Sequence, residues 1–480
     1  MRRAARRLYW GAGIILPIVL VACGVWWWRA GQVRAAVVAV LPAQPDLSGS
    51  SSELVERVTE AGRRARSLRK TIAGLAELAR LYQANGFLSE ARMCVTGLIA
   101  LDPTNPLWSY LEAHARGGYG SLEEALPMLQ RAIELSPDYL PARIRLGDTL
   151  VKLNRLPEAE TAYQEVLARN PDEAYATVGL ARCEMAAGRA ESARRRLQDL
   201  VNRQPQFAPG WVLLISLDEQ LGDTAAAAQH RSNAPDARPR EMPDPWIDDL
   251  MNDCYDPYRL AVAASAADPA NHQARARQLL ERAASIAPRD DLPFRLLGNL
   301  LSDLGDLPGA RRNLERATEN NPKEPDNWSH LVRVLKMMGD MPTANRALDA
   351  GLARCPDAAV LHLENGRRLA AAGQLDAAAI AFERARRLRP EDSSAPMELA
   401  GLRFKQDRLE EGVSALREVV KIDPNHPVAV VLLARYAISN GDEALATEWI
   451  RRAKTQPLVP ARDLQTVLQE YHAQFGGTPE

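Results

Sequence analysis

Apolar residues recur at helical spacing through most of the chain, and residues 291–323 show the pattern most clearly. Leu297 lies in a first apolar period, and the break Gly-Asp-Leu-Pro at 305–308 interrupts that period. Leu314 lies in a second period, which Pro322 closes. The stretch therefore predicts two helices joined by a tight turn, a helical hairpin.

Three residues of this hairpin have specific physical roles. Gly298 lets two helices approach closely, because it has no side chain at the contact. Gly305 supplies the positive φ with which many helices end. Pro308 falls in the first turn of the second helix, where a missing N–H is tolerated.

The hairpin is repeated along the chain. Prolines close it at a step of 34 residues within each of two runs: Pro103, Pro137, Pro171 and Pro205, then Pro288, Pro322, Pro356, Pro390 and Pro424. Small residues precede the closing position by twelve residues: Ala91, Ala125, Ala159, Ala193, Ala276, Ala310, Ala344, Ala378 and Ala446, with Gly412 as the one departure. A fixed period of this length predicts one stacked array of helix pairs.

These features resemble the tetratricopeptide repeat. The family's Leu-Gly, aromatic and proline positions are matched here by Leu146-Gly147, Leu297-Gly298, Gly366, Tyr163 and Phe382. The resemblance covers residues 72–460. It implies an all-α, right-handed superhelical solenoid of about 10–11 helix pairs, with a concave groove that binds proteins or peptides.

The pattern divides the chain into six segments. They are an N-terminal membrane anchor (1–34), a linker (35–51), an N-terminal array with a capping helix (52–231), a Pro- and Asp-rich insert (232–256), a C-terminal array (257–460), and a capping helix with a tail (461–480).

The anchor prediction rests on an uncharged run from Leu8 to Trp28, which follows four arginines and precedes Arg29. A run of about 20 apolar residues is long enough to span a bilayer. The larger positive charge before the run favours a cytoplasmic N-terminus and extracytoplasmic repeats, as in a periplasmic protein held in a bacterial membrane.

A second interpretation uses the same residues. Leu20 to Gly24 resembles a bacterial lipobox, in which the chain is cleaved before Cys23 and that thiol is lipidated. Val25 and the three tryptophans that follow do not resemble a polar lipoprotein linker, which favours the uncleaved helix. Both interpretations leave the repeats attached to a membrane on its outer side.

The remaining chemistry is sparse. The net charge of −1 argues against nucleic-acid binding driven by overall charge. The five cysteines include no CxxC pair, and the seven histidines are scattered. No phosphate loop or nucleophile elbow is present. We therefore expect no enzyme activity, no cofactor and no metal; the sequence leaves the oligomeric state open.

The insert is the least repeat-like segment. Asp244 is expected to cap a short helix that begins at Pro245 and carries Trp246, Asp248 and Asp249. One hypothesis makes it a structural patch in which Trp246 fills a gap beside the short fifth repeat. Another makes it a metal-dependent or enzymatic site that uses Asp248 and Asp249.

The candidate binding residues lie on first helices, where this family presents its groove. One register position, 23 residues before each closing proline, is therefore a candidate. It carries Arg80, His114, Asp148 and Arg182 in the first run, and Asn299, Arg333, Arg367 and Gly401 in the second. We call the set Arg295, Asn299, Arg333, Lys336 and Arg367 the basic ladder. Arginine binds carboxylates in a bidentate manner, so the ladder suits an acidic or C-terminal peptide. A solvated helix face would also favour arginine.

The predicted function is a membrane-anchored, extracytoplasmic scaffold that binds a protein or extended peptide during assembly of an envelope complex. A purely structural spacer is the remaining alternative. The chain also carries its own acidic, Trp-bearing segment at 244–256, which could fold into the groove and compete with a partner.

Overall fold

The structure, a computed structural model, describes residues 2–118, 120–235, 242–266, 273–424, 426–454 and 459–479; it excludes the side chains of residues 2–20 and of residue 461. The chain divides into two compact units. Unit 1 comprises Met1–Arg196 and Arg240–Asp268, and unit 2 comprises Leu197–Pro239 and Pro269–Glu480. This division differs from the predicted one, because residues on both sides of the second array's predicted start at 257 belong to unit 1.

Every regular element in the described ranges is helical. Unit 1 contains α1 (Arg2–Val40), α2 (Ser52–Ala65), α3 (Thr71–Ala84), α4 (Leu88–Leu101), α5 (Pro106–Gly118), α6 (Leu122–Leu135), α7 (Leu140–Lys152), α8 (Leu156–Arg169), α9 (Ala174–Ala186), the start of α10 (Ala190–Arg203), α13 (Pro245–Asp248), a 3-10 turn (Asp249–Asp253) and α14 (Pro257–Ala266).

Unit 2 begins within α10 and contains the remaining helices. They are α11 (Ala208–Gln220), α12 (Thr224–Asn233), α15 (Gln273–Ile286), α16 (Leu292–Asp303), α17 (Leu307–Asn320), α18 (Pro325–Met337), α19 (Met341–Arg354), α20 (Ala359–Ala371), α21 (Leu375–Leu388), α22 (Ser394–Lys405), α23 (Leu409–Ile422), α24 (Pro427–Ser439), α25 (Glu443–Lys454) and α26 (Ala461–Phe475).

Consecutive helices pack as the predicted hairpins. In unit 1 the pairs are α3 with α4, α5 with α6, and α7 with α8. In unit 2 they are α11 with α12, α16 with α17, α18 with α19, α20 with α21, α22 with α23, and α24 with α25. Each second helix also contacts the first helix of the following pair where both lie in one unit, as α17 does with α18.

The turn inside each hairpin depends on one residue with positive φ. Gly305 has φ of 80°, which confirms its predicted role. Equivalent positions recur at the repeat step: Gly86, Gly120, Asn154, Gly188 and Gly222, then Gly305, Gly339, Gly373, Asp407 and Gly441. Asn154 and Asp407 replace glycine in a conformation that Asn and Asp tolerate better than most residues do.

Four second helices of unit 2, α12, α17, α19 and α25, begin with an aspartate cap. Asp306 Oδ1 accepts a hydrogen bond from the Gly309 amide at 2.9 Å, and Asp340 Oδ1 accepts one from the Thr343 amide at 3.1 Å. Such caps satisfy amides that have no partner within the helix. Pro308 lies in the first turn of α17, as predicted.

The small residues predicted for the interior are buried. Ala159, Ala310, Ala344, Ala378 and Ala446 have no exposed surface. The departure at Gly412 has a physical reason, because a methyl group there would overlap the aromatic ring of Phe404. The smaller residue accommodates that ring inside the hairpin of α22 and α23.

Glycine also permits the close approach of the two helices of a hairpin. A Cβ atom added to Gly298 would lie 2.6 Å from Leu314 Cγ, and one added to Gly366 would overlap the Phe382 ring. In unit 1 the buried Tyr163 ring occupies the space beside both Gly147 and Gly179. The large side chain of the second helix fills the space that glycine leaves.

A further helix covers one end of each array. In α2 the apolar face buries Leu54, Val58 and Ala61 beside α3. In α26 Val467 and Tyr471 are buried against α24 and α25. The two helices keep the terminal hairpins' apolar surface away from water.

The predicted linker packs on unit 1. Helix α1 continues to Val40, Val37 is fully buried, and Leu47 is only 7% exposed. Arg34 Nε donates a hydrogen bond of 2.8 Å to the Arg66 carbonyl oxygen. These contacts differ from an extended spacer, because apolar residues of 35–51 face the hairpin of α3 and α4.

In the part of the chain that the structure describes, no helix is both long and apolar enough to cross a membrane. The predicted span from Leu8 to Trp28 begins in residues whose side chains lie outside the described set.

Replacing Gly298 with leucine should lower the free energy of unfolding by about 1–3 kcal/mol, because the new side chain must displace Leu314. Gly401 offers a matched control, since nothing lies within 4 Å of a Cβ atom added there. Denaturant unfolding followed by circular dichroism measures both variants. Equal loss of stability in Gly298→Leu and Gly401→Leu would contradict the close-approach explanation.

Candidate functional site

The candidate site is a surface of unit 1 formed by its first helices α3, α5 and α7 together with α2; we call it the groove face. Residues 244–256, the acidic segment, lie on this face. The segment comprises the short α13, a 3-10 turn, and extended backbone at Cys254, with φ of −83° and ψ of 131°.

Asp244 is anchored in a polar pocket and is only 2% exposed. Tyr139 donates a hydrogen bond of 2.6 Å to Oδ1, and Tyr110 donates one to Oδ2. Arg145 Nε and Nη2 each lie 2.7 Å from Oδ2. Two hydroxyls and a guanidinium therefore compensate the charge of a buried carboxylate, which would otherwise be costly to bury.

The pocket shifts the pKa of the groups around it. Burial, with the neighbouring Asp244 carboxylate, raises the pKa of Tyr110 and Tyr139 well above that of an ordinary phenol. Burial, with the nearby Arg145, lowers the pKa of His114 to about 4, although Asp244 opposes that shift. Both tyrosines remain protonated donors and His114 remains neutral near pH 7.

Trp246 adds an aromatic contact two residues after Asp244. Its ring stacks on Tyr139, with centroids 3.7 Å apart and planes inclined by 10°, and meets Tyr110 edge-on at 5.2 Å. The Trp246 amide donates to the Tyr139 hydroxyl at 3.0 Å. Tyr139 therefore contacts the carboxylate, the main chain and the indole of one short turn.

Asp253 forms a second anchor at the other end of the segment. Arg80 Nε lies 2.8 Å from Oδ2, and Arg57 Nη2 lies 3.2 Å from Oδ1. Arg80 also donates to the Asp249 carbonyl oxygen at 3.4 Å. Arg57 belongs to α2 and Arg80 to α3, so the capping helix contributes to the groove face.

Asn85 binds the main chain at the Asp253 end of the segment. Its Nδ2 donates to the Asp253 carbonyl oxygen at 2.8 Å, and its Oδ1 accepts from the Tyr255 amide at 2.6 Å. The Asn85 side chain thus forms with this backbone one donor and one acceptor hydrogen bond, as the main chain of a neighbouring β-strand would. Tyr255 is 6% exposed, and its hydroxyl accepts from Arg57 at 3.1 Å.

For the insert, the structure confirms the predicted helix start and contradicts the hypothesis for Trp246. Asp244 caps α13, and Pro245 is its first residue, as predicted. The gap-filling hypothesis for Trp246 is wrong, because the indole packs on Tyr110 and Tyr139 of the second and third hairpins. The insert residues 236–241 lie outside the described ranges.

The two aspartates proposed as metal ligands interact within the segment. Asp248 Oδ2 accepts from the Asp244 amide at 3.2 Å, and Asp249 Oδ1 accepts from Asn252 at 3.4 Å. Over the described ranges, no group of three or more His, Cys, Asp or Glu residues is arranged to hold a metal ion.

The basic ladder lies in unit 2, and its side chains interact between repeats. Arg295 Nη1 lies 3.1 Å from Asp326 Oδ2. Asn299 contacts His330 at 3.1 Å and accepts from Arg333 at 3.2 Å. The five predicted residues are therefore brought together in sequence order along the first helices α16, α18 and α20.

Glu364 links the last two cations of the ladder. It pairs with Lys336 and, at 2.8 Å, with Arg367, whose Nε also lies 2.7 Å from Glu398 Oε1. Burial opposes ionisation of Glu364, but the hydrogen bonds from Lys336 and Arg367 hold its pKa below the ordinary value. Carboxylates of this chain therefore already partly neutralise the ladder.

The sequence pattern identified four groove positions of unit 1, which are Arg80, His114, Asp148 and Arg182. It missed Asn85, Tyr110 and Arg145. Tyr110 and Arg145 lie on first helices within one turn of the register position used for the ladder. An aromatic residue and an arginine at that location were the available signal. Asn85 follows α3 and resembles an ordinary helix-ending residue.

Cys23, the candidate lipidation residue, lies exposed on α1. Cys94, Cys183, Cys254 and Cys355 are buried free thiols. Burial raises the pKa of Cys94 to about 12 and that of Cys183 to about 11, so these thiols are unreactive near neutral pH.

Two sequence models described as tetratricopeptide repeat match the chain, one at residues 118–178 and 158–215 and the other at residues 295–359 and 363–427. The chain is a tetratricopeptide repeat protein, as its 34-residue period predicted. Proteins of this family are typically non-catalytic scaffolds that bind other proteins.

Individual curated relatives match over only a small part of the chain. DnaJ homolog subfamily C member 3 of Rattus norvegicus is 37% identical over 97 residues, which is 20% of this chain and 19% of that protein. The chain therefore matches about a fifth of that relative's length, and the Homo sapiens protein matches over the same share at 34% identity.

Two solved structures are also similar. Yeast Tom70 aligns over 85% of this chain and 96% of its own, with 14% identity and a TM-score of 0.37. Pseudomonas aeruginosa pilF aligns over 39% of this chain and 84% of its own, with 16% identity and a TM-score of 0.36.

Stability should fall as the pH drops from about 6.5 toward 4, in part because of His114. In this window the unfolded chain protonates His114 and the folded chain does not, so protons favour unfolding. His114→Gln should reduce the difference in Tm between about pH 7 and pH 5 relative to the wild type. An unchanged difference would show that His114 does not contribute to the acid sensitivity.

Proposed function

We propose that this protein is a membrane-anchored scaffold whose repeats lie outside the cytoplasm and bind a protein or an extended peptide during assembly of an envelope complex. The supporting observation is the binding of the acidic segment on the groove face of unit 1. Side chains of the first helices there hold two carboxylates, an indole and the main chain of one peptide segment.

The same kind of surface exists on unit 2 without such an occupant in the described ranges. Arg333 and Arg367 occupy the register position that Arg80 occupies in unit 1, and Arg80 binds Asp253. A partner carboxylate can exchange with Glu364 or Glu398, because Arg367 is 45% exposed at its side chain. This favours an acidic or C-terminal segment of the partner as the ligand of the ladder.

The membrane part of the proposal rests on the sequence. Arginines precede the uncharged run Leu8–Trp28, and Arg29 follows it. Trp26, Trp27 and Trp28 are exposed on α1, where they suit the interface between lipid and water. Cys23 lies in the lipobox-like sequence, so lipidation remains the second candidate for attachment.

Changing both Arg333 and Arg367 to alanine should reduce partner capture about tenfold, because two groups that bind carboxylates are lost. The measurement is quantitative recovery of cross-linked partners from membranes that carry each variant. Helicity should be unchanged, since both residues project from first helices without being buried.

Arg316 and Arg384 provide the matched control. They are arginines of the same unit, but they lie on the second helices α17 and α21 and pair with Glu319 and Asp357. Arg316→Ala with Arg384→Ala should leave partner capture unchanged. Equal capture by the wild type and the ladder variant would exclude the ladder as the binding surface.

The two modes of attachment differ in the mass of the mature chain. Lipidation at Cys23 requires removal of residues 1–22, and Cys23→Ala would then block processing. An uncleaved anchor predicts an intact N-terminus and normal membrane retention in Cys23→Ala, both measured by mass spectrometry of the membrane fraction. A reporter fused after Glu480 should be extracytoplasmic in either case, and cytoplasmic activity would exclude the proposed location.

A further inference from the structure

We propose that the groove face of unit 1 is a binding site for an acidic-aromatic peptide of the form Asp-x-Trp followed, nine residues after the first aspartate, by Asp-x-Tyr, and that residues 244–256 occupy this site as an internal competitor. The inference rests on the proposed scaffold function and specifies its ligand. The residues of the basic ladder in unit 2 do not belong to this site.

The first reason is that the contacts distinguish one peptide sequence from another. The pocket of Tyr110, Tyr139 and Arg145 surrounds the Asp244 carboxylate with donors only. An apolar side chain in the same place would leave the Arg145 guanidinium without its acceptor, and an amide would turn its NH2 group toward one of the donors. The pocket therefore selects a carboxylate, and the Tyr139 ring selects an aromatic residue two positions later.

The second reason is that Asn85 recognises a main chain. It binds the Asp253 carbonyl oxygen and the Tyr255 amide, which are groups that every extended peptide presents. Main-chain hydrogen bonds of this kind supply affinity, while side-chain pockets supply specificity. The groove face has both kinds of contact at the spacing that residues 244–255 present when they fold into a short helix, a 3-10 turn and one extended residue.

The third reason is electrostatic complementarity. Arg57 and Arg80 meet Asp253, and Arg145 meets Asp244, so the groove face presents a cation at each end of the segment. Without the segment, these cations and the two tyrosines would face solvent and form a ready binding surface for another acidic peptide. A tethered segment has an effective concentration on the order of millimolar, so a partner must match its contacts or bind more tightly.

The test uses the full chain in detergent and a fluorescent peptide of residues 242–256 with Cys254→Ser. In the receptor chain, residues 243–256 are replaced by a Gly-Ser linker of equal length. The peptide should bind this chain at least about tenfold more tightly than the wild type, whose site is already occupied. Fluorescence anisotropy measures both affinities.

A matched pair of peptides tests the motif. Asp244→Ala should weaken binding by about tenfold or more, because three donors lose their acceptor. Asp249→Ala removes the same charge, but Asp249 meets the groove face through its carbonyl oxygen, so binding should be retained. Equal loss for the two peptides would overturn the proposed motif in favour of a general preference for acidic peptides.

A matched pair of receptors tests the site. Arg145→Ala in the linker chain should abolish peptide binding, whereas Arg155→Ala should not, because the ion pairs of Arg155 run to Glu123 and Glu158. Circular dichroism must show that each receptor is folded. Failure of the folded linker chain to bind the peptide would overturn the proposal.

A second variant retains the native segment except for two side chains, in case the linker chain does not fold. Asp244→Ala with Trp246→Ala should increase hydrogen exchange at residues 244–256 and allow the peptide to bind. If exchange rises but the peptide does not bind, the segment is structural and the proposal is wrong. These measurements need no natural partner, so their outcome is separate from that of the ladder variants.

Discussion

The close contact between the two helices of each hairpin is the constraint on which the rest of the structure depends. A glycine or alanine on one helix faces a large side chain on the other, as Gly298 faces Leu314 and Gly366 faces Phe382. This contact sets the distance between the two helices of each hairpin. It also sets the orientation of the first helix relative to the second. The candidate binding residues can recur at a fixed step because the hairpins that carry them have this common geometry.

The two units use the exposed side of their first helices in different ways. In unit 1, arginines and tyrosines bind carboxylates from a segment more than 90 residues later in the chain, such as Asp244 with Arg145. In unit 2, the cations pair with carboxylates of the next repeat, such as Arg367 with Glu398. Both arrangements neutralise charge, but exposed pairs between repeats contribute little to stability, whereas the buried Asp244 needs all its partners.

Much of the fold could be predicted because its determinants are local and repeated. Prolines, interior alanines and turn glycines recur at one step within each run, so eight or nine copies of each weak signal reinforce each other, and the structure has the corresponding turns. The ladder could be located for the same reason, since its residues share one register.

The binding of the acidic segment could not be derived in the same way. It depends on contacts between residues far apart in sequence, such as Asn85 with Tyr255, and these contacts occur once. The sequence indicated an acidic segment and a basic groove, but not which array would receive it. The packing of Val37 on unit 1 was also missed, because a short apolar run before a Pro-rich stretch resembles a linker.

The continuity of α1 with its docked end determines how unit 1 would be presented to a partner. The helix runs without interruption from Arg2 to Val40, and its last turns pack against α3 and α4. From Trp28 to Val37 it rises about 14 Å, at roughly 1.5 Å per residue. If the preceding residues are embedded as proposed, unit 1 is mounted on a short helical stalk, which sets its height above the lipid surface and leaves it free to rotate about the membrane normal. The groove face would then stay within a narrow range of heights above the lipid surface, and a partner would have to present its binding segment at that height.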